Sequence, residues 1–174
     1  MIYTNHLDYH RSGQHCVVYT DGSKTKDGTA FAATRLRPAF SKSSRLQDSS
    51  SIYAAELMAV FAAVRETQFV PETTVIIVSD SKSSVQSISS LQNLNPLVTE
   101  TRSLISTTAK KYYLCWVPSH VGVAGNEKAD RLASEAIKNP NKMPNRMFRG
   151  DAKSTVRRRT MERWVKDGGL PLQS

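Results

Sequence analysis

Four acidic residues of this chain stand in contexts suited to holding a metal ion. Asp21 and Asp80 each follow an apolar run of strand length. Glu56 stands alone in an otherwise apolar, alanine-rich stretch, and Asp130 closes a glycine-containing stretch that begins at His120. Convergent oxygen ligands of this kind suit hard cations such as Mg²⁺. Because the chain as a whole has a net charge of +9, an acidic pocket within it predicts metal-dependent phosphodiester chemistry on a polyanion.

Convergence of these four carboxylates would have a chemical consequence. Carboxylates crowded into one site cannot all stay ionised without cations. Two Mg²⁺ ions about 3.5–4 Å apart would offset the repulsion, one activating a water for in-line attack on phosphorus and the other stabilising the leaving 3′ oxygen. Taken singly, each acid is explained as well by an ordinary turn or a helix surface. The joint pattern is what favours a metal site.

The positive charge is concentrated at the C-terminal end. Residues 1–137 carry 14 Lys and Arg against 12 Asp and Glu, a net of +2, whereas residues 138–174 carry ten against three, a net of +7. The second region includes the run Arg157-Arg158-Arg159. A clustered basic segment is typical of nucleic-acid binding. A solvated helix face or a contact with a protein partner is the alternative explanation.

Length and hydropathy place further bounds on the chain. The 174 residues suit one domain with an appended segment. The longest apolar stretches are far shorter than the roughly 20 residues of a membrane span, so we expect no membrane partner. The first residues show no signal-peptide pattern, and we expect an intracellular protein, nuclear or cytoplasmic. Cys16 and Cys115 lie in apolar runs and are predicted to be buried thiols.

The remaining pattern predicts a mixed sheet covered by helices. Strand-like and helical stretches follow one another in the order β-β-β-α-β-α-α-β-α. The predicted strands are residues 16–20, 29–37, 40–46, 75–79 and 112–117, and the predicted helices are residues 52–67 (with capping candidates at Ser49–Ser51), 83–91, 97–108 and 126–137. An antiparallel meander that feeds parallel strands with intervening helices indicates an α/β fold.

These elements would gather the acids at one end of the sheet. A turn is expected at Asp21–Lys24, which would place Asp21, like Asp80, just beyond the carboxyl end of its strand. Ligands bind at that end of the strands in open α/β sheets, so the two aspartates meet if their strands are neighbours. Glu56 lies in a helix too apolar to have a wet face, and Asp130 lies in the last predicted helix. Both would approach from the flanking helices.

Four short segments in this order resemble the ribonuclease H family. They are YTDGS (19–23), AAELMAV (54–60), VSDS (78–81) and WVPSHVGVAGNEKADRLA (116–133). The last, with its HxGxxGNExAD pattern, is similar to the type 1-like ribonuclease H domain of non-LTR (LINE-type) retrotransposon polyproteins. The resemblance covers roughly residues 16–137. It implies an α/β fold with a five-stranded mixed sheet in the order 3-2-1-4-5, flanked by helices.

The resemblance also implies an activity and a set of functional residues. The activity is endonucleolytic hydrolysis of the RNA strand of RNA–DNA hybrids, with two Mg²⁺ ions or Mn²⁺ in their place. The metal-binding carboxylates would be Asp21, Glu56, Asp80 and Asp130. His120 would be a mobile histidine that assists proton transfer or product release, which suits its glycine-containing loop.

Substrate contacts are predicted on both sides of the acids. Gly22 and Ser23 follow Asp21 and could reach the RNA strand, Ser51 could help to form a phosphate pocket, and Asn126 could lie near the scissile phosphate. Contacts to 2′-hydroxyl groups in the minor groove would distinguish a hybrid from duplex DNA. Residues 91–111 are too short and too weakly basic for the extra basic helix that some family members carry, and the basic tail could compensate.

We expect three parts in the chain. Residues 1–14 would be a flexible N-terminal segment, residues 15–138 the ribonuclease H domain, and residues 139–174 a basic linker and tail helix over about 152–166. A reverse transcriptase upstream in the same polyprotein would be a natural partner, and the domain is expected to be monomeric. Two alternatives stay open: a decayed domain that binds nucleic acid without cutting it, and a transposase or integrase, whose acid spacings differ.

Overall fold

A computed structural model describes residues 15–143 of the chain. The strands are β1 (His15–Thr25), β2 (Gly28–Arg35), β3 (Phe40–Arg45), β4 (Thr74–Ser79) and β5 (Lys111–Trp116), and the helices are α1 (Ile52–Glu66), α2 (Lys82–Ser89), α3 (Pro96–Ser106) and α4 (Ala124–Ala136). A short 3-10 turn, Thr67–Phe69, follows α1. The segment expected at residues 1–14 and the helix expected near 152–166 lie outside the described residues.

The five strands form one mixed sheet in the order β3-β2-β1-β4-β5. β1, β2 and β3 pair antiparallel, whereas β4 pairs parallel with both β1 and β5. The predicted fold class and strand order are therefore confirmed. The strand run at 75–79 is central and buried, as its unbroken apolar sequence indicated.

One predicted turn is wrong. β1 does not end before Asp21 but continues to Thr25, and its antiparallel pairing with β2 runs on to Thr25 opposite Gly28. The turn that closes this hairpin is the second Asp-Gly pair, at Asp27. What does end near Asp21 is the parallel pairing of β1 with β4, because Thr20 opposite Ser79 is its last pair. The apolar pattern of a sequence locates a buried strand, but it does not show where that strand stops pairing with one of its two neighbours.

The core has two layers, one on each face of the sheet. On one face, α1 packs against alternate residues of β1 and β4, such as Val18 and Ile77. On the other face, α4 packs through Ala129 onto the opposite set, which includes Tyr19 and Val78. Both helices use small residues at the contact, so their backbones lie close to the sheet. The centre of the sheet is therefore held firmly from both sides.

The helix α1 is buried over eleven consecutive residues. Ser51 is its N-cap and accepts a hydrogen bond from the backbone N–H of Ala54 at 3.1 Å, as the capping pattern predicted. Apart from β1, the other elements differ from the prediction by a residue or two at their ends. A second difference that bears on the site is in α4, which begins at Ala124, so Asn126 is the third helical residue and not the first. None of the helices within residues 15–143 is long and apolar enough to cross a membrane.

A buried ion pair fastens the sheet at the end away from the acids. The Arg35 guanidinium at the end of β2 binds the carboxylate of Glu72, just before β4, and both side chains are largely buried. Lys110 donates to the main-chain carbonyls of Val70 and Glu72 at 2.5 and 2.7 Å. The hydrogen bond from Arg35 is the main reason why the pKa of Glu72 lies below its usual range. Removing one partner would leave the other charge buried and unpaired.

We therefore predict that Glu72→Gln lowers the free energy of unfolding by about 3 kcal/mol, measured by urea denaturation. The control is Glu135→Gln, because Glu135 forms an exposed pair with Arg131 at 4.0 Å. That change should cost no more than about 0.5 kcal/mol. Equal losses in the two variants would contradict a special contribution from the buried pair.

Candidate metal centre

Three carboxylates from three separate elements converge at the middle of the sheet. Oxygen atoms of Asp21 on β1, Glu56 on α1 and Asp80 after β4 all lie within 4.8 Å of one another. Asp21 and Glu56 are buried, and Asp80 is partly buried. The structure thus brings together three of the four acids that the sequence singled out.

The sheet topology explains why Asp21 and Asp80 meet. The last residue pair of the parallel ladder is Thr20 with Ser79, and each aspartate is the next residue along the chain. β1 then continues beside β2 alone, while the chain after Ser79 turns away into α2. The place where two parallel strands separate is where an α/β sheet opens to ligands. Both carboxylates therefore stand at the mouth of that opening.

The position of Glu56 depends on Gly22. A Cβ atom added at Gly22 would lie 2.7 Å from the backbone nitrogen of Glu56 and 3.0 Å from the carbonyl carbon of Ala55. Only a residue without a side chain lets β1 and α1 approach so closely. The backbone N–H of Gly22 also donates a hydrogen bond to the Glu56 carboxylate. The glycine after Asp21 thus has a structural function, and its predicted role in substrate contact stays a prediction.

The site is electrostatically unfavourable without a cation. Burial, followed by the charges of Asp80 and Asp130, raises the pKa of Asp21 to about 8. Burial, followed by the charges of Asp21 and Asp80, raises the pKa of Glu56 to about 9, against the opposing effect of the Gly22 N–H. Both shifts have the sign expected for acids that are dry and close to like charges.

The unused oxygens show that the residues fit a hard divalent cation. Asp21 Oδ2 and Glu56 Oε2 are buried and have no hydrogen-bond partner within the described residues. No ion pair found between residues 15 and 143 involves these two acids or Asp80. Buried carboxylate oxygens that lack a partner are costly unless something positive binds them. An all-oxygen, acidic donor set suits Mg²⁺ or Mn²⁺.

Asp80 accepts three hydrogen bonds from neighbouring residues within the described part of the chain. Its Oδ2 accepts a hydrogen bond from the Asn126 amide Nδ2 at 3.1 Å. Its main-chain oxygen accepts from the Trp116 indole nitrogen at 2.9 Å and from the Lys82 backbone N–H at 3.1 Å. The sequence reasoning missed these contacts. Trp116 could have been noticed because it ends β5 opposite Ser79, the residue before Asp80.

Asp130 and His120 lie outside the three-carboxylate cluster. Asp130, partly buried on α4, is near enough for its charge to raise the pKa of Asp21. His120 is exposed in the loop before α4 and has a backbone φ of 56°, the left-handed region that few non-glycine residues adopt. The roles that the resemblance implied for these two residues therefore stay predictions.

Two of the remaining predicted substrate contacts have structural partners. The Ser23 hydroxyl lies 3.2 Å from the Ser134 hydroxyl on α4 and links the β1–β2 hairpin to that helix. The Ser51 hydroxyl caps α1. Both hydroxyls are thus engaged inside the domain, and their predicted contact with the RNA strand or a phosphate stays untested.

The sheet order and the helices on its two faces define an α/β protein with the ribonuclease H-like fold. The sequence model of the RNase H family matches residues 13–138, well over half of the chain. This chain belongs to the RNase H family. The match includes all four acids singled out above together with His120. The finer resemblance to retrotransposon polyproteins stays an expectation.

The raised pKa values predict how pH and Mg²⁺ act on stability. When folding raises the pKa of an acid, the protonated acid favours the folded state. This contribution to stability is complete below the pKa of the unfolded state and is lost as pH rises to the pKa of the folded state. For Asp21 this window runs from 3.8 to about 8. With chelator present, the melting temperature of Asp21→Asn should therefore exceed that of the wild type by an amount that grows as pH is raised through the window. The difference should reach a few degrees at pH 8.

Calorimetric or fluorescence melting curves check this prediction. Mg²⁺ at pH 8 should raise the melting temperature of the wild type and leave that of Asp21→Asn nearly unchanged, because the variant lacks a ligand. The matched control is Asp27→Asn in the exposed hairpin turn, which makes the same charge change away from the site. A difference between Asp21→Asn and wild type that stays constant with pH would contradict the electrostatic account.

Proposed function

We propose that the protein is an endonuclease that hydrolyses the RNA strand of RNA–DNA hybrids with the help of two divalent metal ions. The observation that carries the proposal is the convergence of Asp21, Glu56 and Asp80 within 4.8 Å, inside a domain of the RNase H family. Two Mg²⁺ or Mn²⁺ ions bound there would supply an activated water and would stabilise charge on the leaving 3′ oxygen. The products would carry 5′-phosphate and 3′-hydroxyl ends.

The four acids would divide the binding of the ions among them. Asp21 and Asp80, one residue beyond the last pair of the same ladder, would lie nearest to both ion positions. Glu56, held against Gly22, would bind on the side of the leaving group. Asp130, on the far side of Asp21 from α1, would bind on the side of the attacking water. This division explains why the carboxylates come from both faces of the sheet.

His120 would act at the rim of the site and not inside it. It is exposed and lies in a loop between Pro118 and Gly122, a glycine that also has a positive φ, of 79°. An imidazole can both accept and release a proton. We assign it to proton transfer or to product release, as the family resemblance implied.

The hybrid would be bound by its backbone charge and by its shape. Gly22, Ser23, Ser51 and Asn126 stay candidates for contacts close to the site, with 2′-hydroxyl recognition in the minor groove distinguishing RNA. The basic tail, residues 138–174 with a net charge of +7, would add sequence-independent attraction for phosphates. We propose a monomeric, intracellular domain that works in retrotransposon reverse transcription, with a reverse transcriptase upstream.

The first prediction of the proposed function concerns the reaction itself. With Mg²⁺, the full chain should cut only the RNA strand of an end-labelled RNA–DNA hybrid, and chelator should stop the reaction. Asp80→Asn should lower the rate by at least about 1,000-fold, because it removes a ligand charge from the site. Asp27→Asn should cut at the wild-type rate. Cleavage by Asp80→Asn at the wild-type rate would exclude the proposed site.

The same assay separates the proposed enzyme from the alternatives. A decayed domain would bind the hybrid in a salt-sensitive way and cut neither strand. A transposase or integrase would act on duplex DNA and join strands. Either result with folded protein would overturn the proposed function.

The second prediction concerns the tail. Replacing Arg157, Arg158 and Arg159 by Gln should weaken hybrid binding at low salt and should reduce the slope of log K against log salt by up to about 2.7, because up to three phosphate contacts are lost. Single-turnover cleavage at saturating enzyme should not change. The control replaces Ser154, Thr155 and Thr160 by Ala, which leaves the charge of the tail intact. An unchanged salt slope in the triple Gln variant would contradict a role for the tail in binding.

A further inference from the structure

The side chain of Asn126 is buried beside the carboxylate cluster, but within the described residues its amide nitrogen has a hydrogen-bond partner and its amide oxygen has none. It is 4% exposed, and its Nδ2 donates to Asp80 Oδ2 at 3.1 Å. Its Oδ1 is buried and has no partner within the described residues. An amide oxygen left in this state destabilises the folded protein. A side chain kept at such a cost next to a candidate metal centre is typical of a functional contact.

The packing of α4 fixes where this amide lies. A Cβ atom added at Gly125 would lie 2.2 Å from the ring of Tyr19, so the first turn of α4 rests directly on β1. Tyr19 is itself two residues before Asp21 and almost fully buried. Asp130 follows Asn126 by four positions and therefore lies on the same side of the helix. The start of α4 is therefore packed closely against the strand that carries Asp21.

The backbone position of Asp80 does not by itself fix the orientation of its carboxylate. It stands outside the regular sheet, between the end of β4 and the start of α2. Its backbone is held by Trp116 and by the N–H of Lys82, but these bonds do not restrict the rotation of the carboxylate. Rotation about that terminal torsion is soft. In the part of the chain that the structure describes, the Asn126 amide is the hydrogen-bond donor to this carboxylate.

An amide is also the chemically suitable donor at this position. A lysine or arginine would neutralise Asp80 and compete with a cation for its oxygens. An aspartate of the same size would add another negative charge about 3 Å away from a crowded cluster. A neutral amide orients the carboxylate and leaves its charge available. Partners of metal ligands commonly act in this way.

From these contacts we propose that Asn126 is a positioning residue of the metal centre: its Nδ2–H fixes the orientation of the Asp80 carboxylate, and its buried Oδ1 accepts a hydrogen bond from a water in the same pocket. The inference rests on the proposed function, because it assigns Asn126 to the support of the ligands. It also departs from the expectation that Asn126 contacts the scissile phosphate, since the amide is buried against Asp80.

The experiment is a calorimetric titration of the full chain with Mg²⁺, without nucleic acid, followed by steady-state hydrolysis of the hybrid. Asn126→Ala should bind Mg²⁺ about 10- to 100-fold more weakly than the wild type. Its kcat should fall at fixed Mg²⁺ and recover in part as Mg²⁺ is raised, while the KM for the hybrid stays within about twofold. The control, Glu135→Gln on the exposed side of α4, should match the wild type in both measurements.

The two readouts distinguish failure of the inference from failure of the proposed function. Unchanged Mg²⁺ affinity in Asn126→Ala with a raised KM would overturn the inference and return Asn126 to the substrate contacts. Mg²⁺ binding by the wild type without hydrolysis would count against the proposed function, while the ratio of affinities would still decide the role of Asn126. If Asn126→Ala does not fold, the test is instead an NMR titration of the wild type with Mg²⁺ that follows the side-chain amide signal of Asn126. That signal should shift with Mg²⁺, and a signal that does not respond would overturn the inference.

Discussion

The structure depends on holding three carboxylates closer together than their charges favour. Asp21, Glu56 and Asp80 have oxygens within 4.8 Å of one another, and the first two are buried. Burial and mutual repulsion raise the pKa values of Asp21 and Glu56 to about 8 and 9, so the free site holds protons where isolated acids would not. Such a cluster persists only if the surrounding packing is stiff enough to prevent the side chains from separating. A bound divalent cation would convert this electrostatic cost into affinity.

The stiffness comes from close approach of the backbones. Gly22 lets α1 lie against β1, and Gly125 lets α4 lie against Tyr19, so two helices clamp the same strand from opposite faces. The parallel ladder between β1 and β4 ends immediately before both aspartates, which sets their separation. Within residues 15–143, the carboxylate oxygens of these acids accept hydrogen bonds from neutral donors, namely the N–H of Gly22 and the amide of Asn126. The scaffold therefore orients the carboxylates without neutralising them.

Much of this arrangement can be predicted from the sequence, because it follows from local pattern. The apolar runs locate β1 and β4, and the alanine-rich stretch around Glu56 identifies a buried helix. The strand order came from the family resemblance and not from periodicity. The turn expected at Asp21–Lys24 was wrong because β1 stops pairing with β4 at Thr20 but goes on pairing with β2 to Thr25. The end of the apolar run marks the first event and was taken for the end of the strand. The bond between Asn126 and Asp80 joins residues 46 positions apart, and only the packing of α4 on Tyr19 creates it.

The central claim is that these carboxylates bind divalent metal, and crystals soaked in Mn²⁺ test it most directly. Anomalous scattering locates Mn²⁺ without any assumption about activity. The account predicts a strong peak within coordinating distance, about 2.2 Å, of oxygens from Asp21, Glu56 and Asp80, and no peak there in Asp80→Asn crystals soaked in the same way. Fully soaked wild-type crystals with Mn²⁺ elsewhere on the molecule and none among these oxygens would contradict the account.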